Sequence, residues 1–128
     1  MYLDEFHVTV ARLTRELALV SVSGELDLHT APDLRDGLEK AGAVGVDTVI
    51  VDLSKISFID STGLGVLVQG TKRREGPGQS LVLVTNDPRT SRVIEVTGLG
   101  RVLPTFATLH DALAHLRQEP PQIAAAAR

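Results

Sequence analysis

The stretch "TVIVDLSKISFIDSTGLGVLV", residues 48–68, decides the fold. Its opening six residues, "TVIVDL" (48–53), are apolar and rich in β-branched side chains, which predicts a strand covered on both faces and therefore parallel neighbours. Leu64, Leu67, Val68 and Thr71 then fall at i, i+3, i+4 and i+7, the spacing of one helix face. Between the two lies "FIDSTGLG" (58–65), an acid, two adjacent hydroxyls and two glycines at the corner where a strand turns into a helix.

Moving outward, the same alternation repeats. Upstream, "FHVTVARL" (6–13) and "ALVSVSG" (18–24) alternate apolar and polar residues around "TRE" (14–16), the pattern of a β-hairpin. "GELDLHTAPDLRDGLEKAG" follows, with Thr30 as the expected N-cap, Pro32 in the first turn, and Leu34, Leu38 and Ala41 facing the core. Gly42 or Gly45 should end that helix. Downstream, Lys72, Arg73 and Arg74 close the central helix with the sign its dipole favours. "EGPGQ" (75–79) reads as a turn and "SLVLV" (80–84) as another buried strand. Asp87 and Pro88 open a helix that stops at Gly98. "RVLPTF" holds a short edge strand broken by Pro104, and Thr108 caps a last helix with Asp111 three residues on. The order β-β-α-β-α-β-α-β-α predicts a single α/β domain over residues 1–118. Its sheet is mixed but mostly parallel, with an N-terminal hairpin and about four helices packed on it. Residues 119–128, "EPPQIAAAAR", are expected to form a flexible tail.

Composition excludes several function classes. The 128 residues are 43% hydrophobic and 23% charged, so one domain can bury an adequate core. One Tyr, three Phe and no Trp leave no stacking platform for single-stranded nucleic acid, and a net charge of −3 gives no footprint for a phosphate backbone. The absence of cysteine removes disulfides, thiolate catalysis and Cys-based zinc sites. "MYLDEFHVTVAR" has acids and no long apolar run, so no signal peptide is expected, and no window has the length for a membrane span. A soluble, cytoplasmic protein with no direct nucleic-acid or membrane partner is the expectation.

In open α/β sheets ligands and partners meet the carboxyl ends of the strands. Two segments should lie there, "GELDLHT" and "SFIDSTGLG". At the second, Ser61 or Thr62 at the helix start is expected to cap it, since a hydroxyl oxygen accepts the first free N–H groups. That role leaves the cluster unexplained. Gly63 and Gly65 lower helix propensity and keep the surface flat enough for another backbone to approach. A phosphate placed on such a hydroxyl would meet the helix dipole and orphan amides. Asp60 is followed by two hydroxyl residues rather than by the Thr/Ser-Gly of an aspartic protease. There is no Gly-x-Ser-x-Gly elbow, "GLG" lacks the third glycine of a dinucleotide loop, and no Walker lysine is present. His110 and His115 are five apart and do not share a helix face, His7 lies in a strand and His29 in a loop, so neither metal nor cofactor is expected. Asp27 either caps a turn before the helix or shares a surface with the Ser61 corner.

Taken together, "VSVSGELDLHTAPDLRDGL", "VIVDLSKISFIDSTGLGVLV" and "VTGLGRVLPTFATLHDAL" resemble the bacterial anti-sigma factor antagonists, single-domain proteins of the STAS fold. The likeness runs from about residue 6 to residue 117, and the Asp-Ser-Thr-Gly-Leu-Gly block carries it most specifically. It implies a non-enzymatic phosphoswitch. The unphosphorylated antagonist binds a serine-kinase anti-sigma factor with a histidine-kinase-like ATPase fold and so frees a sigma factor. Phosphorylation ends that partnership, and a PP2C-type phosphatase restores it. By position the resemblance makes Ser61 the acceptor and assigns Asp27, Asp60, Ser61, Thr62, Gly63 and Leu64 to the partner-binding surface. Two other roles remain open from the residues: a STAS scaffold subunit of a larger signalling assembly, and a small module binding a phosphate ligand or nucleotide.

Overall fold

In a computed structural model, which describes residues 5–73 and 80–118, five strands form one sheet in the order β1-β2-β3-β4-β5. β1 (His7–Arg12) and β2 (Leu17–Leu26) make the antiparallel hairpin. β3 (Thr48–Ile59), β4 (Ser80–Val84) and β5 (Thr105–Phe106) continue from β2 in parallel. The helices are α1 (Ala31–Ala43), α2 (Ser61–Arg73), α3 (Pro88–Thr97) and α4 (Leu109–Gln118), with a 3-10 turn at Leu99–Arg101. The mixed, mostly parallel α/β sheet and its four helices agree with the order read from the sequence. The expected turn at 75–79, Arg74 and the tail at 119–128 lie outside the described residues.

Alternation along the strands sorts the core into two layers. Val49, Val51 and Leu53 of β3 and Leu81 and Leu83 of β4 join Val20, Leu26, Leu34 and Leu67 in the larger cluster, beneath α1 and α2. Ile50, Val82 and Val84 point the other way, against Ala112 and the half-buried Leu109, Leu113 and Leu116 of α4. Two-sided cover is why these strands read as continuous apolar runs. Each fully buried aliphatic side chain contributes roughly 1.5–3 kcal/mol. No helix among the described residues is long and apolar enough to cross a membrane.

β3 is twice the length expected from "TVIVDL" alone, and its extension shapes the functional end. It pairs with β4 only over Thr48 to Asp52, then runs on beside β2 as far as Ile59. Two register shifts interrupt that pairing, between Ser21 and Ser23 and between Gly24 and Glu25, and each puts one extra residue in β3. The inward residues accordingly change spacing from Val49, Val51 and Leu53 to Ile56 and Ile59. At the first bulge Asp52 Oδ1 accepts the Ser54 N–H at 2.9 Å. Bulges bend a strand and re-aim its side chains; here they set the corner beyond Ile59.

Candidate functional site at the β3–α2 corner

β2 and β3 end together. Leu26 pairs with Ile59, and the Asp60 N–H donates to the Leu26 carbonyl at 3.2 Å. Asp27 and Asp60, the next residue on each chain segment, therefore flank one corner at the carboxyl edge of the sheet. α2 starts against Leu26 as well. A Cβ at Gly63 would stand 2.7 Å from Leu26 Cγ and 3.2 Å from the Leu26 carbonyl oxygen. Only glycine lets the helix approach β2 so closely.

The cap belongs to Asp60, not to Ser61 or Thr62. Asp60 Oδ1 accepts the N–H groups of Thr62 at 2.9 Å and of Gly63 at 3.1 Å, while its carbonyl accepts from Leu64 at 3.1 Å. A carboxylate one residue earlier reaches the same donors and brings the charge that the helix N-terminus favours. Two consequences follow. The amides expected to be orphaned are already satisfied, so they are not available to a phosphate. Ser61 is released from capping: it is exposed, and its hydroxyl bonds to no described residue. Thr62 and Leu64 are half-buried, and Gly65 is exposed with nothing within 4 Å of a would-be Cβ.

The segment after β2 is a tight Asx turn. Asp27 Oδ1 accepts the N–H groups of His29 at 2.9 Å and Thr30 at 3.1 Å. Thr30 does not cap α1 with its side chain, contrary to expectation; its hydroxyl donates to the Glu25 carbonyl at 2.7 Å and accepts the Asp27 N–H at 2.9 Å. Partial desolvation pushes the Asp27 carboxyl upward. The Thr30 and His29 amides, the Thr30 hydroxyl and the nearby His29 outweigh it and hold Asp27 below the usual carboxylate range.

Two apolar side chains at this edge escape a reading based on polar motifs. Leu28 is 64% exposed in the turn beside Asp27, and Phe58 is 49% exposed near the end of β3. Phe58 stands opposite Glu25, directly after the second bulge, which explains its outward aim. Phe58 is one of only three phenylalanines in the chain, and its place inside the "FIDSTGLG" block was the signal available for it. Of the histidines, His29 lies in the turn beside Asp27, whereas His115 packs its ring against Phe106 at 4.9 Å on the far layer.

Comparisons with known proteins identify the family. The STAS domain family model matches residues 9–112. The chain is 34% identical over 114 residues to the anti-sigma-F factor antagonist RsfB of Mycobacterium tuberculosis, covering 89% of this chain and 92% of that protein. It is similar in structure to an anti-sigma factor antagonist from Mycobacterium paratuberculosis, with a TM-score of 0.81, 33% identity, and coverage of 91% of this chain and 97% of that one. The Bacillus cell fate determinant SpoIIAA in its phosphorylated form is similar at a TM-score of 0.66 and 26% identity, over 86% of this chain and 99% of that one.

Proposed function

The chain belongs to the STAS domain family, and from that premise we propose that it is an anti-sigma factor antagonist switched by phosphorylation of Ser61. The observation that carries the proposal is the division of labour at the corner. Asp60 holds the helix start, so the Ser61 hydroxyl is exposed and without a partner among the described residues. A serine that caps a helix would have to give up that bond to be modified; this one would not.

In this reading the unmodified corner docks on a kinase-type anti-sigma factor, which then releases its sigma factor. Asp27, Asp60, Thr62 and Leu64 form the docking surface around Ser61, with Leu28 and Phe58 adding apolar area; Gly63 is itself buried against Leu26 and serves that surface by seating the helix there. The partner, holding ATP, transfers the γ-phosphoryl group to the Ser61 oxygen as the bond from the γ-phosphorus to the bridging oxygen breaks and ADP leaves, and the hydroxyl proton passes to a base on the partner. The product carries about −1.5 to −2 charges beside Asp60. Burying that charge next to a carboxylate weakens docking by several kcal/mol, a factor of hundreds or more. A PP2C-type phosphatase resets the switch. The chain's role is regulatory rather than catalytic, in the cytoplasm where the sigma factor acts.

A small phosphate-binding module is less favoured, because Asp60 already occupies the Thr62 and Gly63 amides that such a ligand would need. The test is incubation with a kinase-type anti-sigma factor from the same genome and ATP, followed by mass spectrometry and a pull-down. Phosphate is expected on Ser61 and absent from Ser61→Ala, with complex formation lost on phosphorylation and in Ser61→Asp. Phosphate on Thr62 instead, or undiminished binding by Ser61→Asp, would overturn the proposal.

A further inference from the structure

We propose that the cleft between α1 and α2 binds a small amphiphilic monoanion, a carboxylate carried on a short alkyl chain. The two helices pack against each other over the larger core cluster, and between them lies a cavity of about 270 Å³. It sits above Val49 and Leu81, near the starts of β3 and β4, so it is at the opposite end of α2 from Ser61. Val49, Val66 and Leu81 form a buried floor, and the half-buried Leu38 forms a wall. These side chains offer no hydrogen bond, so the part of an occupant that enters must be hydrocarbon.

The rim sets the charge. Arg35, Glu39 and Arg73 line it, and Arg73 Nη1 pairs with Glu39 Oε2 at 2.8 Å, joining α2 to α1. That pair is neutral. Arg35 is half-buried and has no ion pair or hydrogen bond among the described residues. A guanidinium with no ion pair among the described residues, beside an apolar cleft, matches one carboxylate, which its planar fork takes in two parallel bonds. A cationic head would meet Arg35 unfavourably, and a sugar or free phosphate would find only the Gln69 amide and the rim charges to replace the hydration it loses against the apolar floor.

Missing side chains keep the cleft open. Gly42 and Gly70 line it, and a Cβ at Gly70 would stand 3.2 Å from Leu38 Cδ1 and 3.3 Å from Leu81 Cδ2. Both contacts are ends of flexible leucines, so Gly70→Ala should fold, with a better helix former at that position, while narrowing the cleft.

The test is titration of isotope-labelled protein with octanoate, followed by amide shifts. Saturable one-to-one binding is expected, with shifts confined to residues 35–42, 66–73, 49 and 81. Arg35→Gln should weaken octanoate roughly tenfold or more. Gly70→Ala should reduce binding at least as much while its thermal midpoint stays at or above that of the parent. Octyltrimethylammonium, with the same chain and the opposite charge, should not bind. Scattered or absent shifts with octanoate, equal affinity in Arg35→Gln, or equal binding of the cation would overturn the assignment. None of these outcomes depends on Ser61.

Discussion

Asp60 and Ser61 divide what a sequence reading gives to the hydroxyl alone. Ser and Thr are preferred caps, and "DST" offers three cap formers in a row; propensity does not choose among them. The choice is made by where β3 stops pairing. Because the Asp60 N–H still bonds to Leu26, Asp60 is the last residue tied to the sheet, and the helix begins one residue later. Removing its carboxylate in Asp60→Ala should therefore destabilise the fold by about 1 kcal/mol. Asp60→Asn, which keeps the acceptor oxygen, should lose much less. Urea unfolding of the pair checks this; equal losses would mean that charge rather than capping matters. The same comparison bears on the switch, since Asp60→Asn also removes the charge beside a phosphorylated Ser61.

At the scale of elements, the hairpin, the parallel order and the caps at Asp87, Gly98 and Thr108 were all legible. Each depends on local chemistry: Asp87 Oδ2 accepts the Thr90 N–H at 3.0 Å, Gly98 takes φ 77, and Thr108 Oγ1 accepts from Asp111 at 3.0 Å. The far half of β3 was not legible. Period-two alternation ends at Leu53 because the two bulges shift the inward positions to Ile56 and Ile59, and a bulge leaves no mark in composition. The two glycines of the corner looked alike in sequence yet differ in space. Gly63 abuts Leu26, whereas Gly65 faces open space. Gly63→Ala should cost about 1–3 kcal/mol, because the fully buried Leu26 and its carbonyl leave no room for the methyl. Gly65→Ala should stabilise α2 by up to about 1 kcal/mol and still weaken anti-sigma factor binding, since the exposed methyl stands one helical turn from Ser61, at the border of the surface proposed to dock. Thermal unfolding beside a binding titration separates the two effects. A stabilised Gly65→Ala variant with undiminished affinity would end the docking surface before the second turn of α2.

Across the whole molecule, the carboxyl edge of the sheet is held by side-chain carboxylates accepting backbone N–H groups at the start of successive elements: Asp27 before α1, Asp60 at α2 and Asp87 at α3. This repetition ties the docking edge to pH. The Thr90 amide and hydroxyl hold Asp87 below the usual carboxylate range, and Asp27 is lowered as well, its amide bonds outweighing desolvation. Both groups bind protons less readily in the folded chain than in the unfolded one. Their contribution is therefore complete above the ordinary carboxyl value, where both states are ionised. It is lost as pH falls through the lowered folded values, because the unfolded chain takes up the protons first. Urea midpoints measured downward from neutral pH should begin to fall near the ordinary carboxyl range. Asp27→Asn with Asp87→Asn keeps the acceptor oxygens and removes the titration, so the double variant should show a shallower acid slope. An unchanged slope would place the acid sensitivity elsewhere. If Asp27 also docks the partner, its single Asn variant should lose affinity at neutral pH, where the fold is unaffected by protonation, and the two roles separate in one pair of measurements.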